Sequence, residues 1–231
     1  MEQSRRRFLD KIKQFINFLN EIGYEEIRVK MEKEKIQEQK PSYKKTETLL
    51  EKLKKEILKC EKCRLAATRT NVVFGEGNPK ANLMFIGEAP GEQEDLQGRP
   101  FIGRAGQLLT KFLNLFEIER DRVYIANIVK CRPPKNRNPQ PDEIKTCFYY
   151  LEKQIEIIKP KVIICLGAFA SRTILNLPEK TAISKTRGKE FNINGVTVIP
   201  TFHPAYLLRN RRGESDFQKD LELGLKIAEM I

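Results

Sequence analysis

Apolar residues recur at spacings of three and four in two N-terminal parts of the chain. The first lies within residues 4–22, and the second runs over residues 46–59. Both patterns predict amphipathic helices, because residues three and four apart share one face of a helix. Residues 24–45 between them are highly charged and poor in large apolar side chains, which predicts a linker or a mobile helix. We therefore expect a helical extension over residues 1–45 and a folded domain over residues 46–231.

From residue 81 onward, short apolar runs alternate with longer amphipathic stretches. The apolar runs predict strands at 82–87, 123–129, 161–166 and 196–200. The amphipathic stretches predict helices at 104–116, 141–158, 168–176 and 214–230. Because strands that alternate with helices form parallel sheets covered on both faces, we expect an α/β fold. Its three layers, α/β/α, would enclose a central, mainly parallel sheet of four strands.

Glycine-rich and polar segments directly follow three of the predicted strands. They are GEAPG at 87–91, Asn127 with KCRPPKNRNP at 130–139, and TFHPAYLLRN at 201–210. Ligands of open parallel sheets bind where the strands end, so the three segments predict one shared site. The first segment is not a phosphate loop, because it lacks the required glycine spacing and carries several carboxylates. Its amides could instead bind a neutral planar ligand, and a carboxylate could orient water.

The net charge adds a candidate partner to this picture. The 231 residues include 43 Lys and Arg against 31 Asp and Glu, a net charge of +12 and a pI near 9.5. Such a balance favours a polyanionic partner, with nucleic acid ahead of an anionic membrane. The longest apolar runs, such as 162–167, fall far short of the roughly 20 residues that span a bilayer. The N-terminus lacks a signal-peptide pattern, so we expect a cytoplasmic protein with access to DNA and no membrane partner.

Four of the five cysteines are spaced like metal ligands. Cys60 and Cys63 form a C-x2-C pair at the end of a predicted helix, and Cys131 and Cys147 follow the second strand. Four thiolates could hold either a zinc ion or a [4Fe–4S] cluster, and the spacing does not choose between them. Four ordinary buried thiols are the alternative. Cys165 lies inside the apolar run VIICLG and is interpreted as a core residue.

Three further residue groups have both a functional and a structural interpretation. Phe101 lies in a basic loop, where it could stack on a base or pack in the core. His203 is the single histidine of the chain and follows a strand in a polar loop, which favours a functional role. Leu207, Leu208 and Arg209 could insert into a distorted duplex, with leucine filling a vacated stack and arginine holding phosphate. Alternatively, both leucines pack in the core.

Taken together, these segments resemble the family 4 (type 4) uracil-DNA glycosylases of the uracil-DNA glycosylase superfamily. The resemblance covers about residues 46–231. It is carried by GEAPGEQEDLQGRPFIGRAGQLL at 87–109, NIVKCRPPKNRNP at 127–139, HPAYLLR at 203–209 and the four cysteines in order. The resemblance implies the three-layer fold and one [4Fe–4S] cluster on Cys60, Cys63, Cys131 and Cys147. It also implies hydrolysis of the N-glycosidic bond of uracil in DNA, which leaves an abasic site.

The resemblance also implies roles for individual residues. The backbone of Gly87, Glu88 and Ala89 would contact uracil, Phe101 would stack on it, Asn127 would bind its pairing edge, and His203 would lie near O2. Residues 206–209 would form the DNA-inserting loop. From the residues themselves, Glu94 is our candidate for excluding the methyl group of thymine. Expected DNA contacts are Lys130, Arg132, Arg137, Tyr206, Leu207, Leu208 and Arg209.

One departure leaves the water-activating group open. Where another branch of the superfamily carries an aspartate, this chain has Ala89. Glu88 is our first candidate for orienting water, ahead of Glu94 and Asp95, and no base is needed if the bond breaks dissociatively. No feature points to a lysine nucleophile, so we expect a monofunctional enzyme without strand cleavage.

Three alternative functions remain open, and the sequence also leads to expectations about assembly and partners. A related glycosylase with an altered base preference and a noncatalytic iron–sulfur DNA-binding module remain alternatives, as does a zinc-stabilised nucleic-acid binder. We expect a monomer that acts on single- or double-stranded DNA. The extension over 1–45 is a candidate contact for a replication or repair protein.

Overall fold

A computed structural model describes residues 43–231, with side chains in the first helix described from Thr46 onward. The helix predicted at 4–22 and most of the charged segment after it lie outside the described residues. The helix predicted from residue 46 is present as α1, Tyr43–Leu58. It begins three residues before the predicted domain boundary.

The described part of the chain forms one mixed sheet of six strands. In chain order these are β1 (Glu76–Gly77), β2 (Leu83–Gly87), β3 (Tyr124–Asn127), β4 (Val162–Leu166), β5 (Phe191–Ile193) and β6 (Val196–Thr201). Their order across the sheet is β1-β3-β2-β4-β6-β5. The four predicted strands form its parallel centre, and two short antiparallel strands extend it at the edges. The expected four-stranded sheet is corrected to six strands. β1 has only two residues, too few for a detectable pattern, whereas the hairpin of β5 and β6 is signalled by Asn194-Gly195, which sequence analysis did not use.

Helices connect the strands and cover both faces of the sheet. After α1 they are α2 (Glu92–Gln97), α3 (Arg104–Leu115), α4 (Pro141–Ile158), α5 (Gly167–Leu175), α6 (Ile183–Thr186), α7 (Pro204–Leu207) and α8 (Glu214–Ile227). The four long helices predicted after residue 81 are confirmed to within three residues at each end. Helix α4 begins with Pro141 at its first position and a capping box between Gln140 and Glu143.

Alternation along the strands divides the core into two layers. In β2, Met84 and Ile86 pack with residues of α1 and α4, whereas Leu83 and Phe85 pack with residues of α3 and α8. Successive residues of a strand point to opposite faces, so each of the four parallel strands contributes to both layers. This arrangement confirms the three-layer α/β/α expectation. None of the helices in residues 43–231 is long and apolar enough to cross a membrane.

The sheet places the functional segments at the carboxyl ends of its parallel strands. Gly87 at the end of β2 pairs in register with Asn127 at the end of β3, and β6 ends alongside β4. In the sheet, β3 lies on one side of β2 and β4 lies on the other. The end of β2 is therefore a topological switch point, where open α/β sheets bind their ligands.

Candidate active site and cysteine centre

The ends of β2 and β3 bring Gly87, Asn127 and Phe101 into close contact. A Cβ atom on Gly87 would lie 2.4 Å from Asn127 Oδ1 and 2.5 Å from Phe101 Cζ. Only a residue without a side chain allows this approach, since real Cβ contacts are longer than 3.0 Å. Asn127 is 1% exposed, and its Oδ1 is a buried acceptor without a hydrogen-bond partner in the described residues. Such an acceptor is costly unless a ligand satisfies it.

A cavity of about 410 Å³ opens in front of these residues. Of the residues predicted to bind substrate or DNA, those that line it are Glu88, Ala89, Glu94, Phe101, Asn127, Arg137, His203 and Arg209. The buried Gly87 lies directly behind Asn127 and Phe101. Segments that follow three different strands therefore form one site, as their positions predict. The volume and the few convergent polar groups suit a small planar ligand.

Phe101 lies in a tightly held loop between α2 and α3. Its ring is 6% exposed and lies 5.7 Å, centroid to centroid, from the ring of His203. Glu94 fixes the loop, because its Oε1 accepts hydrogen bonds from the amides of Ile102 at 2.9 Å and Gly103 at 2.8 Å. The two interpretations of Phe101 are therefore compatible: the ring packs in the core and also forms a wall of the cavity.

His203 is held as a neutral imidazole that points a donor toward the cavity. Its Nδ1 accepts a hydrogen bond of 3.1 Å from the amide of Ala205, so the ring proton resides on Nε2. Burial lowers the pKa of His203 to about 4. Gly167, with φ +92, allows the histidine to sit against β4, because a Cβ there would lie 2.9 Å from His203 Cβ. Sequence analysis did not identify Gly167, although a glycine directly after the strand VIICL was a usable signal.

Glu88 and Asp95 have very different surroundings. Glu88 is half-buried on the cavity wall, and burial raises the pKa of its carboxyl to about 7. Asp95 is 2% exposed and accepts hydrogen bonds from the amides of Thr70 and Asn71 at 3.0 to 3.2 Å. Asp95 therefore acts as a structural acceptor, and its place among the candidates for orienting water is wrong.

The basic loop 130–139 differs from its prediction at one position. Lys130 is 0% exposed, and its ammonium donates to Gln154 Oε1 at 2.5 Å, so its predicted DNA contact is wrong. The side chain lies in the core just after β3, and a lysine in the sequence does not show whether it is buried. Arg137 borders the cavity but is paired with Glu143 at 2.6 and 2.8 Å. Arg132 is partly exposed and bonds Asn136 at 2.7 Å.

The segment after His203 separates the two leucines that sequence analysis treated together. Leu207 is 0% exposed and packs in the core layer of α3 and α8, so its predicted insertion into DNA is wrong. Tyr206 and Leu208 are 40% and 38% exposed. Arg209 is exposed, lines the cavity and forms no ion pair within residues 43–231. The turn of α7 thus directs one leucine inward and the next outward.

Comparisons with known proteins show which family the chain belongs to. The family model of the uracil-DNA glycosylase superfamily matches residues 74–223. The type-4 uracil-DNA glycosylase of Thermotoga maritima is 52% identical over 169 residues, which cover 73% of this chain and 88% of that protein. Those of Sulfurisphaera tokodaii and Archaeoglobus fulgidus are 48% and 47% identical, over 76% and 75% of this chain and 85% and 92% of theirs. The chain belongs to the type-4 uracil-DNA glycosylases. It is a DNA-repair hydrolase that acts on the N-glycosyl bond of uracil in DNA.

In this type-4 enzyme the four predicted cysteine ligands lie in one region of the fold. Cys60 and Cys63 follow α1 and pack against the core layer that contains Cys131 and Cys147. Within residues 43–231, no group of three or more His, Cys, Asp or Glu side chains is spaced to hold a metal ion. The surroundings nevertheless suit thiolates. Cys147 Sγ accepts a hydrogen bond of 3.2 Å from the Lys130 amide, and Cys131 Sγ one of 3.4 Å from Arg69.

Two further observations describe the chemistry of this cysteine centre. Burial raises the pKa of the Cys147 thiol to about 12 and also raises that of Cys131, so thiolates here need a positive group to balance them. The buried hydroxyl of Tyr150 lies beside Cys60, where it can donate to a thiolate. The raised pKa values of the two thiols fit a site completed by a bound cationic centre. Cys165 lies fully buried in β4, as predicted.

Residues 69–71 connect the cysteine centre of the glycosylase to its base pocket. The guanidinium of Arg69 donates to the carbonyl of Cys60 at 2.8 Å as well as to Cys131 Sγ. The next two amides bind the carboxylate of Asp95, which lies on α2 beside Glu94. Sequence analysis missed Arg69, because an arginine in a polar connection carries no pattern that distinguishes it.

Proposed function

We propose that this enzyme binds an extrahelical uracil in the 410 Å³ cavity and hydrolyses its N-glycosidic bond without cleaving the strand. The observation that carries the proposal is the buried, unpartnered Oδ1 of Asn127 beside the ring of Phe101. A base inside a duplex cannot reach such a pocket, so the nucleotide must first rotate out of the stack.

Asn127 would select the base. Its Oδ1 accepts from N3–H of uracil and its amide nitrogen donates to O4. Cytosine offers the opposite pattern at these two positions and would leave the buried amide unpaired. Phe101 would stack on the base, and the backbone of residues 87–89 would contact its edge. This pairing explains why an amide is buried here at all.

His203 would stabilise the departing base. As the bond between C1′ and N1 breaks, its electron pair leaves with uracil and negative charge develops on O2. The neutral imidazole donates from Nε2, which stabilises that charge more in the transition state than in the ground state. Removal of a donor of this kind lowers the rate by about 10²- to 10³-fold.

Glu88 would orient the attacking water. Its ionised carboxylate can accept a hydrogen bond from water, whose oxygen bonds to C1′ while the water proton passes to the carboxylate or to solvent. The same negative charge favours the positive charge that develops on the sugar. Burial of the carboxyl supports this role, because a pKa of about 7 leaves it partly ionised at neutral pH.

Glu94 would exclude thymine. The amides of Ile102 and Gly103 fix Oε1 of its carboxylate, and Oε2 lies 2.8 Å from the position of a Cβ on Gly91. A fixed charged group at the edge of the pocket disfavours a methyl group, which would cover the carboxylate without a hydrogen bond in return.

Tyr206, Leu208 and Arg209 would contact the DNA around the extrahelical nucleotide. The two exposed apolar side chains can fill the vacated stack, and the arginine can bind phosphate. Arg132 and Arg137 are weaker candidates for phosphate contacts, because Glu92 and Glu143 balance part of their charge.

One [4Fe–4S] cluster would be held by Cys60, Cys63, Cys131 and Cys147. When bound, it would link the end of α1 to α4 and to the segment after β3, and its positively charged iron–sulfur core would offset part of the charge of the four thiolates. The buried sulfurs of Cys131 and Cys147, which already accept N–H hydrogen bonds, support this assignment.

Purified protein incubated with oligonucleotides that contain uracil, hypoxanthine or a thymine mispair tests the proposal. Alkali then cleaves any abasic sites. We expect product from uracil in single and double strands, and none from thymine. Product from hypoxanthine in place of uracil would indicate an altered base preference, and no product at all would refute the enzymatic role.

Two companion measurements separate the finer claims. No lysine is among the described residues that line the cavity, so borohydride should trap no protein–DNA adduct. Glu88→Gln should lower the single-turnover rate, and an unchanged rate removes Glu88 from the mechanism. Visible absorbance near 400 nm distinguishes an iron–sulfur cluster from colourless zinc.

A further inference from the structure

The backbone of the Phe101 loop adopts an unfavourable conformation. Phe101 has φ +49, in the left-handed region that residues with a Cβ rarely adopt. The loop also packs closely against α3, since a Cβ on Gly106 would lie 1.8 Å from the Phe101 carbonyl oxygen. A strained residue persists only where surrounding groups fix it, and such residues cluster at ligand sites.

Two charged side chains fix this loop from opposite sides. The carboxylate of Glu94 accepts from the two amides after Phe101. The guanidinium of Arg120 donates to the two carbonyls before them, at 2.9 Å to Pro100 and 3.0 Å to Phe101. The anion therefore binds the N–H groups of the loop and the cation binds its C=O groups.

Arg120 is itself held in place. Its side chain is 20% exposed, pairs with Glu76 at 2.6 Å and donates to Thr110 Oγ1 at 3.1 Å. Glu76 in turn binds Arg99 at 2.8 Å. A guanidinium with several fixed partners is preorganised, and lysine cannot reproduce its planar set of donors.

Packing alone does not fix the loop on this side. A second cavity of about 580 Å³ borders Phe101, Thr110 and Arg120. The guanidinium lies between this open region and the two carbonyls, so its hydrogen bonds replace the apolar contacts that would otherwise support the loop.

We propose that Arg120 is a positioning residue, which holds the ring of Phe101 where it stacks on the extrahelical uracil. The inference rests on the proposed stacking role of Phe101. Arg120 does not line the base cavity, so its effect on catalysis passes through the carbonyls that it binds.

Arg120→Lys tests the inference, with Arg122→Lys as the matched control, because Arg122 is an exposed residue of the same turn. We expect Arg120→Lys to lower the single-turnover rate about 10- to 100-fold, as a ring displaced by a fraction of an ångström to 1 Å would. The inhibition constant of free uracil should rise by a similar factor. Affinity for product DNA should not change, and the control should match wild type in all three measurements.

A double-mutant cycle decides whether the effect passes through the ring. In the Phe101→Ala background, Arg120→Lys should change the rate by less than about twofold, because the coupled effect is already lost. An equal loss in both backgrounds, or no loss in the wild-type background, would overturn the inference.

Failure of the enzymatic role itself gives a different result. Wild-type protein that leaves uracil in place would refute the proposed function and, with it, the inference. Active wild type with an unaffected Arg120→Lys variant would refute the inference alone. If Arg120→Lys does not fold, Glu76→Gln replaces it in the same cycle, with the same pattern expected at smaller amplitude.

Discussion

Replacement of Gly87 by alanine tests the geometry of the base pocket directly. The added Cβ would lie 2.4 Å from Asn127 Oδ1 and 2.5 Å from Phe101 Cζ, whereas ordinary contacts begin at 3.4 Å. The amide must therefore move by about 1 Å and the ring by a similar distance. Both side chains are buried, Asn127 at 1% and Phe101 at 6% exposure, so we expect a loss of about 1–3 kcal/mol in the free energy of unfolding.

The expected loss of activity follows from the same displacement. Misplacement of a binding group by about 1 Å lowers the rate by on the order of 10²-fold. We therefore expect Gly87→Ala to excise uracil about 100-fold more slowly in single turnover, while affinity for abasic product DNA stays close to that of wild type. Thermal unfolding of the same samples measures the stability loss.

Gly195→Ala provides the matched control. Gly195 lies in the turn between β5 and β6 with φ +89, and a Cβ there would meet no atom within 4 Å. This variant strains the backbone, at a cost of roughly 1–2 kcal/mol, without touching the pocket. It should unfold earlier and excise uracil normally. If Gly87→Ala excises uracil within threefold of wild type, the pocket tolerates the extra atom and the reasoning is wrong.

Three further predictions test other parts of the site. Leu208→Ala should leave the melting temperature unchanged and slow excision from duplex DNA more than from single strands, whereas Leu207→Ala should cost about 2–5 kcal/mol in the free energy of unfolding. Asp95→Asn should cost about 1–3 kcal/mol, because it replaces a buried carboxylate that accepts from the amides of Thr70 and Asn71 with a group that also donates. The single-turnover rate should rise with pH through about 7 as Glu88 ionises and should show no His203 limb between pH 5 and 8, a profile measurable in buffers of constant ionic strength.

Sequence patterning was sufficient for the parallel centre of the fold and for the position of the site. Apolar runs such as 162–166 predict buried strands. The polar segments that follow them meet at the carboxyl ends of the strands, because the strands are parallel. The two edge strands differ in this respect. β1 has two residues and pairs with β3, which is far away in the sequence, so no local pattern predicts it. β5 joins β6 through Asn194 and Gly195, both with positive φ, and this Asn-Gly pair is a hairpin signal that sequence analysis did not use.

The charged residues show a different limit of sequence reasoning. Three basic residues have three different partners. Lys130 is buried and donates to Gln154, Arg137 pairs with Glu143, and Arg120 donates to backbone carbonyls. Burial and partners are tertiary properties, so a local pattern assigns charge without assigning its role. The leucine pair at 207 and 208 shows the same limit, because a one-residue rotation on a short helix decides which side chain faces the core.

The electrostatics of Glu88 and His203 have a common physical cause. Burial raises the pKa of the carboxyl to about 7 and lowers that of the imidazole to about 4, because a poorly solvated cavity penalises either charged form. In the proposed mechanism the imidazole would stabilise the leaving base as a neutral donor, and the carboxylate of Glu88 would be the charged group. A bound uracil would exclude further water and so strengthen the attraction between that carboxylate and the positive charge developing on the sugar. In the same proposal Arg209, exposed at the mouth of the cavity, would bind phosphate outside the pocket, while the chemistry inside would depend on one carboxylate and one neutral ring.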